Sequence, residues 1–553
     1  ISPTPTSAVS LSTMTAKSAS LALSVSTDPV AQTVVAGGNQ FTFANYQLDA
    51  SASGEDVRLP SLPIEYNAAS GATNLTSCQL YDGATSVTSG SNIVNPSAAA
   101  SSTIFTLDGS GMTVTKGTIK TLTLKCNIAS GASGTYAWGY DSASSPTATG
   151  LTSGQSVTVA ESDSAGQLMT LTSGGTFTVA LDSSSPAFAV ATAGSTGNTV
   201  ATLRFTTVNE AMDLKSVGLQ LSNVASNSPS DLVKLTVWDG ALKVGEAIFT
   251  PSGVNPDVAT STFVSPVRIE KDASKVLTVK ADFAAQGVSQ IGTPGSRVHV
   301  DWDGGANLAT EAAGVSSGTT IRATGTDTAS AGVVIYKSYP IVSSVALSDT
   351  KLTSGRRDLF RFNVSANSAG DVGVYHVTFR IATSSATAQL DMIDNVNVYA
   401  FTDSTYATPV SGIQTDGAMQ QGNLDLSARW ASSATDLTIG AADASNASTT
   451  VVVSAGQTRY FAIRGDVTTA GTQFNVSTQM QGDAKFVSEL TGGTSQSTYM
   501  GTTTYILSSG DNDFVWRPFS TTTTQSVTAN DYATGYGLPG LPTTNMNQQT
   551  LTQ

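Results

Sequence analysis

The strongest constraint on this chain is a loose strand pattern that recurs about every 155 to 160 residues, near residues 21–128, 177–283 and 345–467. Leu21, Leu23 and Val25 open the first unit, Phe177, Val179 and Leu181 the second, Val345 and Leu347 the third. A second alternating strand follows, carried by Phe41 and Phe43, Leu203 and Phe205, and Phe360 and Phe362. Next comes an acidic turn, Glu55-Asp56, Glu210 or Asp371, and then an aromatic strand end at Tyr81, Trp238 or Tyr399. The closing strands carry Leu122, Leu124 and Cys126, then Leu277, Val279 and Ala281, then Val451 and Val453 with Tyr460 and Ala462 beyond a Gly-containing break. Period-two alternation marks half-buried strands. A repeat of this length holds a whole sandwich, so the expected fold is all-β: tandem immunoglobulin-like β-sandwich domains in series, with extended N- and C-terminal segments.

The boundaries expected from this pattern are a Ser/Thr/Pro-rich lead over 1–20, sandwiches over 21–160, 169–322 and 333–508, and an aromatic tail over 511–553. The third sandwich carries insertions and matches the others least. The tail holds Phe514, Trp516, Phe519, Tyr532 and Tyr536 but too few alternating strands for a core of its own. It reads either as a docking segment for another surface or as a tail folded back on the third domain.

Charged residues are only 12% of the chain against 40% apolar ones, which fits strands joined by small-residue loops better than disorder. A net charge of −14 without a Lys/Arg cluster argues against a nucleic-acid groove, and anionic membranes are equally poor partners. No apolar run reaches the ~18 residues of a membrane helix. The opening at Ile1 lacks a signal-peptide pattern, so an exported protein is expected to be numbered here from a processed or truncated start. Cys78 and Cys126 share the inward parity of Leu80, Leu122 and Leu124. They are expected to form a disulfide across the first sandwich, with two buried thiols as the alternative, and a bridge places the chain outside the cytoplasm.

The chemical motifs are thin. Gly314-Val315-Ser316-Ser317-Gly318 has the spacing of a nucleophile elbow but is followed by a strand-like run where a helix is needed. The two histidines, His299 and His376, read as outward strand residues, and no carboxylate pair stands out for glycoside hydrolysis. Asp301 and Asp303 alternate as oxygen ligands of a calcium loop do, although Asp-Gly is first a turn signal; Asp511-Asn512-Asp513 is a second such run. Calcium is therefore the one cofactor considered. Arg464-Gly465-Asp466 spells an adhesion tripeptide but falls on the closing-strand region, and four Asn-x-Ser/Thr sequons begin at Asn74, Asn363, Asn446 and Asn475. Leu541-Pro542-Thr543-Thr544-Asn545 resembles a sortase signal without the hydrophobic segment that should follow.

Tandem β-sandwich repeats ending in Asp513-Phe514-Val515-Trp516 and Gly535-Tyr536-Gly537-Leu538-Pro539-Gly540-Leu541-Pro542 resemble the large secreted surface proteins of Patescibacteria. The resemblance implies a role in the cell envelope and names no ligand. The function expected is that of a non-catalytic structural subunit of an extracellular surface layer, sheath or filament. Its partner would be further copies of itself, with Trp516, Tyr532 and Tyr536 as assembly anchors. Deleting 511–553 is then expected to leave the domains folded and abolish assembly. The alternative is a surface adhesin or binder of cell-wall glycan, with Tyr81, Trp138, Trp238, Trp302 and Trp430 as aromatic platforms. An envelope hydrolase would require two close carboxylates in a cleft.

Overall fold

A computed structural model of the chain describes residues 17–68, 72–97, 100–221, 228–251, 256–304, 309–384, 392–423, 434–469, 474–484, 513–520 and 532–553. It is an all-β protein of tandem β-sandwiches, and the helical pieces among the described residues are four 3-10 turns of three residues each. Three separate apolar cores lie along the chain. The alternation seen in sequence fills them: Leu122, Leu124, Cys126 and Ile128 of Ile119–Ile128 are buried, as are Leu277, Val279, Ala281 and Phe283 of Ser274–Phe283.

Each module repeats one topology. In the first, a sheet runs Val159–Glu161, Leu21–Val25, Phe41–Asp49, Ile119–Ile128, Leu75–Asp82, Thr85–Ser86. The second copies it as Thr324–Gly325, Thr176–Leu181, Asn198–Val208, Ser274–Phe283, Leu232–Asp239, Leu242–Ala247. The third retains the four central places as Pro340–Val345, Gly355–Ala366, Thr458–Thr468, Met392–Phe401. Opposing sheets close each sandwich, and in each module the last strands to be added come from its C-terminal end.

Those last strands correct the expected boundaries. Met169–Thr172 pairs antiparallel with Gly134–Gly139 and parallel with Gln32–Val35, so it completes the first module instead of opening the second. Val333–Tyr336 does the same for the second module, beside Ser296–Val298 and Ala189–Thr192. The third module is completed by the supposed tail. Phe514–Arg517 pairs with Val372–Ser384 as Ala148–Gly150 pairs with Val57–Leu59. Ala533–Thr534 pairs with Phe514–Arg517, and Gln549–Thr552 pairs with Asn475–Met480 as Met169–Thr172 pairs with Gly134–Gly139. Residues 513–520 and 532–553 are therefore the closing strands of the third sandwich, displaced in sequence by a long insertion. Each is too short to register as an alternating strand. The N-terminal lead over 1–16 lies outside the described residues.

The disulfide also differs from expectation. Cys78 and Cys126 are bonded, with Cα atoms 4.1 Å apart, but they sit on neighbouring strands of one sheet. A bulge between Lys125 and Asn127 brings the two positions opposite each other. In the third module the inward parity is reversed: Phe461, Ile463 and Val467 enter the core, while Tyr460 and Ala462 join an outer cluster with Tyr399, Phe401 and Tyr406. An excursion after Phe401 covers that outer face through the pairs Phe401–Pro409 and Tyr399–Ala418, so both faces are apolar and alternation no longer identifies the core side. Val451–Val453, expected in the closing strand, pairs with Val372–Val374 of the opposite sheet.

The junctions are not free linkers. Between the first two modules only Ser173 and Gly174 separate the last strand of one from Gly175, whose N–H donates to Glu210 of the next. The second junction is tighter still. Val333 and Ile335 enter the second core, whereas Val334 and Tyr336 of the same strand enter the third. Phe188 and Val190 of the second module also pack on the third core.

Candidate functional site

The residues that recur at equivalent places serve local structure. Glu210, 1% exposed, accepts N–H bonds from Gly175, Ser316 and Ser317 and a bond from the Ser317 hydroxyl. That explains Gly314–Gly318. It is the hairpin turn between Glu311–Gly314 and Thr320–Arg322, and its counterpart Gly150–Gly154 receives Glu55 on the N–H groups of Thr152 and Ser153. Ser317 Oγ contacts a carboxylate and Thr319, with no histidine among its hydrogen-bond partners. Asp56 and Asp371 likewise accept from Lys116 and Ala455 in corresponding turns. The recurrent acidic turn is a loop-ordering device.

The aromatic strand ends recur for a second reason. Lys125 lies 4.7 Å from the Tyr81 ring centroid, Lys280 lies 4.6 Å from that of Trp238, and the Arg464 guanidinium lies 5.5 Å from that of Tyr399. The next residue on two of these strands holds an ion pair, Asp82 with Lys120 and Asp239 with Lys275, each at 2.7 Å. Tyr81 and Trp238 are thus each faced by a lysine on the outer surface of the sheet. Trp138 and Trp302 are buried, so neither is an open platform for a sugar, and Trp430 lies outside the described residues. Arg464 of the adhesion-like tripeptide bonds Asp358 at 2.7 Å, while Asp466 receives Asn395 at 2.8 Å, with Gly465 packed between Ile393 and Leu359. The tripeptide is mid-strand and tied down at both charged ends.

Asp301 lies on the strand Val300–Trp302 and is 2% exposed, with Gln220 Nε2 at 3.4 Å. Asp303 follows it, 6% exposed, and its N–H donates to Gly218. Part of the expected calcium loop, residues 305–308, lies outside the described residues, as do Asp511 and Asn512 of the second run. No grouping of three or more acidic, histidine or cysteine side chains suited to a metal occurs among the described residues. His299 and His376, expected to face outward, are buried, and His299 Nδ1 lies 2.8 Å from the Ser330 carbonyl. Of the sequons, Asn363 and Asn475 stand within strands, Asn74 bonds the Tyr136 hydroxyl, and Asn446 occupies an exposed turn.

The three expected assembly residues come together, but inside the third module. Trp516 is fully buried; its indole N–H donates to the Thr534 carbonyl, and its ring meets Tyr336 edge-on at 4.9 Å. Tyr532 is 1% exposed and packs against Tyr375, and the buried Arg517 guanidinium lies over Phe519 and Tyr532. Tyr536 lies 4.4 Å from Phe188 of the second module. The Gly/Pro run has a steric logic. A Cβ at Gly537 would strike the Phe188 ring and one at Gly540 the Val342 carbonyl, while Leu538 and Leu541 between and beyond them fill the core. Beside the opening strand, Val342 donates its N–H to Pro539, where the other modules place a parallel strand.

One residue missed in sequence organises this closure. Asp483, fully enclosed, accepts from the N–H of Asp513 at 2.6 Å, of Phe514 at 3.3 Å and of Gly535 at 2.6 Å. Burial pushes its carboxyl up to about 7; the three donors oppose that rise and nearby Asp513 adds to it. Nothing in the local sequence, Gly482-Asp483-Ala484, distinguishes it from a turn aspartate.

No protein-family model matches the chain, and no curated protein matches it in sequence. Among solved structures it is similar to the C-terminal domain of the antigen I/II polypeptide BspA of Streptococcus agalactiae, at 10% identity over 55% of this chain and 95% of that one, with a TM-score of 0.15. A membrane-anchored protein from Corynebacterium diphtheriae, described there as putative, is 10% identical over 83% and 90% of the two chains at a TM-score of 0.17. A tetra-tandem repeat from the extending region of a large adhesion protein is 12% identical over 83% and 81% at 0.13. At such scores the superpositions carry no argument about function.

Proposed function

We propose that this chain is a non-catalytic structural subunit of an extracellular surface layer, sheath or filament, in which three sandwiches in series form a stiff spacer and copies join one another. The observation that carries this reading is the second junction, where Val333 and Ile335 enter one core and Val334 and Tyr336 the next. A strand shared by two cores cannot act as a hinge without exposing apolar surface on both sides. Such a device fixes a repeat distance, which a lattice or filament needs and a diffusing enzyme does not. The groups with catalytic spacing are occupied in turns and strand pairs, which agrees with the same reading. A buried disulfide fits an oxidising, extracellular setting.

Electron microscopy of the purified full chain, with and without a calcium chelator, tests this directly. Ordered arrays or filaments are expected, and their loss in chelator would add calcium to the contacts. Monodisperse single particles at every concentration and cation condition would overturn the reading.

A further inference from the structure

We propose that, in assembled material, the third module is closed by the C-terminal segment of a second copy of this chain, so that neighbouring subunits are joined by exchanged strands. This rests on the self-assembly reading above and gives it a partner and a contact.

The argument begins with connection lengths. In the first module the strand Gly134–Gly139 is followed by the next one of the set, Ala148–Gly150, across residues 140–147. In the second, Val300–Trp302 leads to Glu311–Gly314 across residues 303–310. Connections this short hold the closing strands in their own module. In the third, Asn475–Met480 leads to Phe514–Arg517 across residues 481–513. Fully extended, that length of chain spans at most about 110 Å, several times the ~10 Å between packed sheets. The third module alone therefore has closing strands on a tether long enough to reach a neighbour.

What the tether carries is a complete insertion unit. Phe514, Trp516, Ala533, Leu538, Leu541, Met546 and Leu551 all belong to the third core, and without them that core opens. The same segment touches the second module through Tyr536 on Phe188, and the Phe519 carbonyl accepts from Lys337 on the connecting strand. A donated segment would thus seat against two modules of the receiving copy. Its entry point is Asp483, whose carboxylate takes the N–H groups of Asp513 and Phe514, and Gln549 Nε2 is held by the Val345 and Arg361 carbonyls. Exchange reproduces every one of these contacts between chains. The balance between self-closure and exchange is then set by tether length and subunit concentration, because loop-closure entropy changes only slowly with length. Head-to-tail donation that does not close on itself yields a filament or sheet.

The test uses full-length chains and the register partners Ser477 and Thr550, which lie opposite each other and belong to the body and the segment respectively. The native cysteines are already bonded to each other. One tagged chain carries S477C and a second, differently tagged chain carries T550C; they are co-expressed, assembled and oxidised. A cross-linked product containing both tags is expected, against none for S477C paired with T206C on the second module. The double variant S477C/T550C, purified as a monomer, must cross-link internally, which shows that the pair is competent. Ordered arrays in which only internal cross-links form would overturn strand exchange and leave the assembly reading standing. Absence of arrays together with a two-tag product would support exchange and overturn the assembly reading.

Discussion

Glu210 shows what single side chains contribute here. One buried carboxylate holds the N–H groups of Gly175 and of the Ser316–Ser317 turn, linking the entry of the second module to its far hairpin. Replacing it with Ala leaves those donors to compete for water, and a loss of about 2 to 3 kcal/mol is expected, read as a lower melting temperature of one calorimetric transition. Asp483 should show itself through pH. Its folded value of about 7 lies above that of an unfolded aspartate, so the folded module holds the proton more tightly. The stability it contributes is complete below about pH 4 and is lost as pH rises towards 7. Thermal unfolding is expected to show the third module weakening across that window by an amount on the order of 4 kcal/mol, with D483N flattening the profile. The exposed carboxylates of Glu55 and Asp108 are held low by hydrogen bonds and act in the opposite sense, so the informative quantity is the difference between variant and parent.

Among elements, the closing strands of the third module are the informative ones. Trp516→Ala removes a fully buried indole and its bond to Thr534, and an expected loss of about 3 to 5 kcal/mol should fall on the third module alone. Deleting 511–553, expected from sequence to leave every domain folded, should instead unfold the third module while the first two stay protected. Limited proteolysis with mass spectrometry distinguishes these outcomes, because the fragments would map to residues beyond Tyr336 only. Sequence reasoning mistook these strands for a tail for a specific reason. Phe514–Arg517 and Ala533–Thr534 are four and two residues long, buried along their whole length, and therefore show no alternation to read. Ile119–Ile128 and Ser274–Phe283, with one face in a core and one in water, display it openly.

At the scale of the whole molecule, the modules differ in how they are held. The first has the disulfide, which closes a loop of 48 residues and is worth about 4 kcal/mol in the chain-entropy account. Reduction should lower the melting transition of that module and leave the others unmoved. The second and third share a strand and the Phe188–Tyr536 contact, so their transitions are expected to merge, and Tyr536→Ala should begin to separate them.

The sequence by itself determined the all-β class, the three cores and their recurrent acidic turns and aromatic strand ends. These follow from short-range alternation and from repeated residue types, which one chain displays without reference to its partners. Only the tertiary structure decided which strand closes which module, which face of Thr458–Thr468 enters the core, and that Trp516 and Tyr532 lie inside. Strand pairing is non-local, and a strand covered on both faces carries no periodic mark. The partner of Phe514–Arg517, more than a hundred residues earlier at Val372–Ser384, could be found only by folding the chain.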